Sequence, residues 1–399
     1  MRTSPLSRCP PSITKHSIAI DHLTSGIWSR IHATASHYDI GSMACGASKR
    51  IDDDFASRSI RPSMSDHATV NEPSMPEVCM HLVPPNAPAN AVIASSTLCT
   101  KGKSASIVRH VCIDVGGTPL SGRFLAGQSF GVVPPGTDAN GKPHKVRLYS
   151  IASPGYGEDG HGRVLSTTVK RLIDERKPQR PGDDADDHGL FLGVCSNFLC
   201  DRKMGDQVQV TGPAGKRFVL PTDRQAHDYL FVATGTGIAP FRGMLHELLV
   251  GPPAGTPARA AWRPTTSSIT LVMGTPYTTD LIYDDWFAGL AAAHPNFTYH
   301  TVISRESAAT PGRGVYVHQF MDGIMDSLRP TLAGPRGLVY LCGLSGMQVG
   351  VYRLLARHGL GDQYLSLHEE LAGLAPDSWT EDQLRRRVHA TRRCMIEVY

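Results

Sequence analysis

Residues 234–240, Thr-Gly-Thr-Gly-Ile-Ala-Pro, stand between an apolar run at 229–233 and a stretch of helical pattern from 241. Glycines let a backbone approach a ligand, proline suits the first turn of a helix, and free N–H groups there attract a pyrophosphate. Thr234, Gly235, Thr236 and Gly237 are therefore candidates for a dinucleotide loop. The spacing is not the common GxGxxG, and a tight strand-to-helix turn uses the same residue types, so the local signal leaves both readings open. Three further segments carry chemistry. Arg147-Leu148-Tyr149-Ser150 sets a permanent cation, a flat ring and a hydroxyl in one short run, suited to a phosphate, the face of a flavin ring and its polar edge. Gly193-Val194-Cys195-Ser196 offers a glycine and small polar groups to a second phosphate. Cys342-Gly343-Leu344 closes another apolar run, 338–342, and puts a thiol at a strand's carboxyl end, where open α/β sheets bind ligands. An exposed arginine, a core tyrosine or a buried cysteine is the ordinary explanation of each taken singly; the four in this order are specific.

The elements that must hold these residues divide the chain. From about Ala91 the pattern is β-rich, with short strands at 107–108, 111–115, 127–133, 146–152, 164–171 and 208–211 separated by Gly and Pro turns. Closely spaced strands of this kind predict a small antiparallel barrel. After Asp223 strands at 229–233, 269–274, 297–303 and 338–342 alternate with helical stretches at 241–250, 283–293, 318–328 and 347–357. That alternation predicts a parallel sheet with crossover helices. The expected fold is an N-terminal six-stranded antiparallel β-barrel followed by a doubly wound parallel-sheet domain. The expected domains are a tail, presequence or mis-annotated start at 1–83, a barrel at 84–222 and an α/β unit at 223–399. Pro84, Pro85 and Pro88 mark the entry to the folded part.

Composition sets the outer limits. The 399 residues exceed what one core usually spans, and 41% hydrophobic with 19% charged residues is ordinary for a folded, non-membrane chain. The formal net charge of +4, from 40 Lys+Arg against 36 Asp+Glu, is too slight to imply nucleic acid. No apolar stretch reaches the eighteen residues of a membrane helix. Nine scattered cysteines lack a CxxC pair, which disfavours a zinc ribbon or an internal iron–sulfur cluster and points to a reducing compartment; no metal site is expected. The acid-poor, Ser- and Arg-bearing start resembles a transit peptide, with a tail or a downstream start as the blander account. The expected location is the cytoplasm, or a plastid if 1–83 is a transit peptide. The run Asp183, Asp184, Asp186, Asp187 is read as a solvated loop.

From Pro84 to Tyr399 the chain resembles the plant-type ferredoxin–NADP(+) reductases, with the longest matches at 127–136, 146–153, 190–201 and 233–242. The resemblance implies FAD against the barrel and NADP(H) on the parallel sheet. It implies Arg147 and Ser196 at the FAD phosphates, Tyr149 stacked on the flavin, and Leu148, Thr168, Val169, Lys170, Gly193, Val194 and Cys195 as further contacts. Ser150, Cys342, Glu397 and Tyr399 are the implied catalytic set, with the terminal Tyr399 covering the flavin face that nicotinamide must reach. Thr234 to Gly237 would hold the NADP pyrophosphate, with Gly343 and Leu344 beside it, and Ser304, Arg305, Tyr316 and His318 the 2′-phosphate and adenine. Independently, a hydroxyl and a cation after the third strand of the α/β unit suit a 2′-phosphate, whereas a ribose hydroxyl would favour an acid. The chain departs from the family pattern at His318 (glutamine is usual), Thr168 (cysteine) and Cys394 (tryptophan).

The implied activity is electron exchange between NADPH and a one-electron carrier, ferredoxin or flavodoxin, by a monomer or weak dimer. Arg385, Arg386, Arg387, Arg392 and Arg393 form a candidate basic docking cluster for that acidic partner, a solvated helix face being the alternative. Two other readings stand beside this one: the reductase component of a multicomponent oxygenase of the benzoyl-CoA epoxidase type, and a regulatory protein with a decayed site.

Overall fold

The computed structural model describes residues 72–175, 189–307 and 312–399. Of the expected tail or presequence at 1–83, residues 1–71 lie outside the described residues, as does the aspartate run 183–187.

Eight strands come first: β1 (Ala89–Leu98), β2 (Val108–Asp114), β3 (Ser129–Val133), β4 (Arg147–Ser150), β5 (Val164–Lys170), β6 (Ile173–Glu175), β7 (Leu190–Leu192) and β8 (Gln207–Ala214). Six of them form an antiparallel sheet in the order β4-β3-β8-β1-β2-β5, and a bridge between Ile151 and Thr167 brings its two edges together as a barrel. Alternate residues, among them Val111, Ile113, Phe130, Val132, Leu165, Val169, Val208 and Val210, fill its interior, as a period of two requires. β6 and β7 pair separately as a two-stranded ribbon. The helix Val194–Asp201 follows this ribbon.

Seven strands follow: β9 (Asp228–Thr234), β10 (Ile269–Thr275), β11 (Phe297–Ile303), β12 (Gly337–Gly343), β13 (Leu365–Leu367), β14 (Val388–Ala390) and β15 (Cys394–Val398). Five make a parallel sheet in the order β11-β10-β9-β12-β15, while β13 and β14 pair on their own. The apolar run in β9 is continuous because both faces are covered. Tyr229, Phe231 and Ala233 pack with the side of helices Ala239–Leu245 and Asp284–Ala293, whereas Leu230 and Val232 pack with helices Val317–Gly323, Met325–Ala333 and Ser345–Arg357. Strand order reverses between β9 and β12, which opens the crevice where such sheets bind ligands.

Two elements differ from the sequence expectation. The stretch expected as one helix at 318–328 is split at Gly323-Ile324, where a residue with no side chain meets a β-branched one. β15, a fifth strand of the parallel sheet, is absent from the strands read by periodicity, because its five residues, Cys-Met-Ile-Glu-Val, are too short and too mixed to show a period.

The barrel and the parallel sheet share a core. Val108, Ala126, Phe218 and Leu220 of the barrel side belong to the same apolar cluster as β9, β10 and β12. The five arginines near the C-terminus do not form one basic face. Arg393 is 2% exposed and donates to the carbonyls of Gly337 and Gly334 and to Gln363. Arg385, Arg386, Arg387 and Arg392 pair with Glu381, Asp382, Glu370 and Glu72 respectively. Helical spacing explains the first two pairs, since i and i+4 share a face.

Candidate functional site

The crevice is built from four chain segments. β9 ends at Thr234, and Gly235–Ile238 form a single turn leading into the helix Ala239–Leu245, with Pro240 in its first turn. The two glycines serve different ends. Gly235 has φ +56 and nothing within 4 Å of where a Cβ would stand, so its backbone is open to an approaching group. A Cβ on Gly237 would lie 2.1 Å from the Cys342 carbonyl oxygen, so this glycine lets the turn rest on β12. The Thr234 hydroxyl accepts from the Leu344 N–H at 2.9 Å, tying the loop after β9 to the loop after β12. Gly343 takes φ +138 there, and Leu344 is exposed.

Ser150, Cys342 and Glu397 come together although they arise from different sheets. Cys342 and Glu397 are side by side because β12 and β15 run parallel in that register. Ser150, at the end of barrel strand β4, approaches Cys342 closely enough to lower its thiol pKa slightly. Burial, with the Glu397 charge beside it, pushes the Cys342 thiol far above its usual range, so it is a neutral thiol near pH 7. Burial also raises the Glu397 carboxyl above the ordinary glutamate value. Tyr399 completes the group and is fastened by hydrogen bonds. Its N–H donates to the Gly343 carbonyl at 3.0 Å, its own carbonyl oxygen accepts from Ser345 at 3.2 Å, and its hydroxyl lies 2.7 Å from the Thr236 hydroxyl. The side chain nevertheless stays 62% exposed. A large ring held in place yet left open is the surface a flat heterocycle needs.

On the barrel side, Arg147 and Leu148 are exposed, and among the described residues the Arg147 guanidinium donates to the neighbouring carbonyls of Lys145 and Val146. Tyr149 is half-buried, near Phe130 with ring centroids 6.4 Å apart, and its hydroxyl reaches Cys195. Gly193, Val194, Cys195 and Ser196 open the helix Val194–Asp201, where Val194 is exposed and Cys195 buried. The Ser196 hydroxyl accepts from Leu172 N–H at 3.2 Å and donates to the Gly193 carbonyl at 3.3 Å. Of the β5 residues, only Lys170 has an exposed side chain; Val169 fills the barrel and Thr168 turns to the Tyr283 hydroxyl at 2.8 Å.

The third region lies after β11. Ser304 donates its N–H to the Thr275 carbonyl at 2.9 Å, and Arg305 is exposed. A bridge from Ile303 to Arg313 sets a second arginine beside them, which the sequence reading missed because only the fold carries Arg313 back to this strand end. Arg313 pairs with Glu306 and Thr278. The rings of Tyr316 and His318 are parallel within 6°, with centroids 6.2 Å apart, and Tyr316 is 65% exposed. Burial and the charges of Arg357 and Arg353 lower the His318 pKa, so its ring is neutral at pH 7.

Residues 231–352 match the oxidoreductase NAD-binding domain family. The chain is 37% identical over 295 residues to a ferredoxin–NADP reductase of Picosynechococcus sp., which covers 73% of this chain and 65% of that protein. It is 36% identical over 282 residues to the chloroplastic embryo isozyme of ferredoxin–NADP reductase from Oryza sativa, covering 70% of each. A solved ferredoxin–NADP(+) reductase from Plasmodium falciparum shares the fold, with a TM-score of 0.57 at 21% identity over 80% of this chain and 98% of that one.

Proposed function

The chain belongs to the ferredoxin–NADP reductase family, and on that premise we propose that it is an FAD-dependent oxidoreductase moving electrons between NADPH and ferredoxin or flavodoxin. The observation that carries this is the meeting of Ser150 from the barrel with Cys342 and Glu397 at the reversal of the parallel sheet, beside the tethered ring of Tyr399.

The residues present fit both cofactors. Arg147 and the Ser196 end of its helix would hold the FAD phosphates, and Tyr149 and Tyr399 offer the aromatic surfaces a flavin needs. Leu148, Lys170 and Val194 are exposed beside them; the buried Thr168, Val169 and Cys195 can contribute through the main chain. The open backbone of Gly235, with Thr234, Thr236 and Gly237, suits the NADP pyrophosphate. Ser304, Arg305 and Arg313 bring a hydroxyl and two cations where a 2′-phosphate would bind, with Tyr316 and His318 for the adenine. Residues 84–222 would carry FAD and 223–399 NADP. Bound FAD supplies the passage between two-electron and one-electron transfer. The protein's part is positional. Ser150 would offer its hydroxyl to the reacting edge, the neutral Cys342 would pack there without adding charge, and Glu397, which keeps its proton to higher pH than an exposed glutamate, would hold a proton nearby. Tyr399, tied to Thr236, would cover the flavin face that nicotinamide must reach and would have to give way to it.

Ferredoxin is the expected partner. Among the described residues no helix is long and apolar enough to cross a membrane. The relatives include cyanobacterial and chloroplastic proteins, so cytoplasm and plastid both fit. The decisive experiment reconstitutes the protein with FAD, titrates it with NADPH while its absorbance is followed, and then adds ferredoxin with cytochrome c. A yellow protein bleached by NADPH and reducing cytochrome c through ferredoxin is expected. A colourless protein, or one unable to reduce ferricyanide with NADPH, overturns the reading.

A further inference from the structure

Behind the reacting groups, where barrel and parallel sheet meet, lies a polar network built on Arg242 and Glu158, two residues given no role above. Its centre is Arg242, on the helix Ala239–Leu245 that leaves the Gly235–Ile238 turn. Arg242 Nη1 donates to Glu158 Oε1 at 2.5 Å and to the Ala152 carbonyl at 3.2 Å, and Nη2 donates to Glu158 Oε2 at 3.1 Å. Both side chains are largely enclosed, 15% and 21% exposed. A bidentate arginine–carboxylate pair fixes orientation as well as distance.

What this pair holds is the segment carrying Ser150. Ala152 lies just beyond Ser150, and its carbonyl is an Arg242 acceptor. The Ser150 carbonyl accepts from the Thr167 hydroxyl at 2.8 Å, and the adjacent Ser166 donates to Glu158 at 2.6 Å. Next to Arg242, a Cβ on Gly243 would lie 2.4 Å from the Ser153 carbonyl oxygen, so the helix backbone presses directly on the same segment. On the far side the ring of Tyr283 lies 5.6 Å from the guanidinium, and its hydroxyl is 2.8 Å from both His110 Nδ1 and Thr168 Oγ1. Tyr283 adopts φ +59, a left-handed conformation strained for a bulky residue and kept only where surrounding contacts over-determine it.

An enclosed ion pair is a poor route to stability, since well-packed apolar residues of like volume often do as well or better; what it supplies is register. His110, Cys112 and Glu158 also have ligand atoms within 4.8 Å of one another, but both Glu158 oxygens are taken by a guanidinium whose fixed charge repels a cation. We infer that Arg242 and Glu158 are positioning residues: their ion pair sets Ser150, on the barrel, against the Thr234–Gly237 loop and Cys342 on the parallel sheet. The inference rests on the electron-transfer reading above, because that reaction passes between groups held by the two halves. Misplacement by about 1 Å can cost about a hundredfold in rate.

The test uses FAD-loaded wild type, Arg242→Gln, Glu158→Gln, the double variant and Arg242→Lys, with NADPH and ferricyanide at a temperature well below each variant's melting point. Both single changes should lower kcat roughly tenfold or more with KM for NADPH within about twofold, and the double variant should lose no more than either alone. Arg242→Lys, which keeps charge without the fork, should recover part of kcat. Amide hydrogen exchange on the same proteins without cofactor should speed up at Ile151 and Ala152. Single variants with wild-type kcat, losses that multiply in the double variant, or unchanged exchange at these amides overturn the inference. A wild type inactive with NADPH would instead overturn the electron-transfer reading, and the exchange measurement would still judge the clamp.

Discussion

Tyr399 and Glu397 show how one side chain's surroundings fix its task. The Tyr399 hydroxyl is tied to that of Thr236 at 2.7 Å while its ring stays exposed. On the proposed reading, its exposed face and its tie to Thr236 make it the rival of nicotinamide. Tyr399→Ser should therefore raise the rate with NADH relative to NADPH, because nicotinamide then binds without displacing a ring and the 2′-phosphate matters less. An unchanged ratio of kcat/KM for the two coenzymes would refute this role. Glu397 gives a pH prediction. Burial raises its pKa in the folded state, so between the ordinary glutamate value and the raised one the folded protein binds more protons than the unfolded chain. Stability contributed by this site therefore falls as pH rises through that window. Melting curves from roughly pH 4 to 7 should show Glu397→Gln gaining on wild type as pH increases, a trend that a solvated Glu397 would not produce.

At the scale of elements, the C-terminal arginines divide by burial rather than by sequence. Arg393 sits where β15 enters the parallel sheet and donates to the carbonyls of Gly334 and Gly337, while its guanidinium lies 5.0 Å from the Tyr364 ring centroid. Arg393→Ala should cost about 3 kcal/mol, since several buried acceptors lose a charged donor at once. Arg386, exposed and paired within its helix, should change stability by less than about 0.5 kcal/mol on mutation to alanine. The comparison is made by urea unfolding. Arg386→Ala should also leave KM for ferredoxin within about twofold, because a charge already neutralised by Asp382 adds little to docking.

For the whole molecule, the two halves are joined by a shared apolar core and by the Arg242–Glu158 clamp, and these respond differently to pH. Burial alone would raise the Glu158 carboxyl, but the hydrogen bond from His110 and the Arg242 guanidinium hold it well below the usual carboxylate range. A lowered folded pKa means a stabilisation present above the ordinary glutamate value and lost as pH falls below it towards the folded value. Glu158→Gln should thus cost about 3 kcal/mol at pH 7. The deficit against wild type should shrink as the medium is acidified below about pH 4, as measured by denaturant midpoints. A deficit constant across that range would show that packing, not charge, is what Glu158 provides.

The same scales separate what could be read in the residues from what could not. The order of barrel then parallel sheet, four of the five parallel strands and the Thr234–Gly237 and Arg147–Ser150 motifs were legible in sequence, because periodicity, glycine and proline act over a few neighbouring residues. β15 was not legible, since five mixed residues become a strand only when β12 offers them an edge. The arginine cluster was legible as charge but not as surface, because burial of Arg393 and pairing of its neighbours depend on what packs against them. Local chemistry alone offered Thr234–Gly237 and Arg147–Ser150 as candidate cofactor segments, and the family resemblance gave them their two expected cofactors. Only the tertiary structure decided that Ser150, Cys342 and Glu397 meet, that Arg313 joins Ser304 and Arg305, and that a buried ion pair clamps the halves, since such contacts depend on strand register and on the approach of segments far apart in the chain.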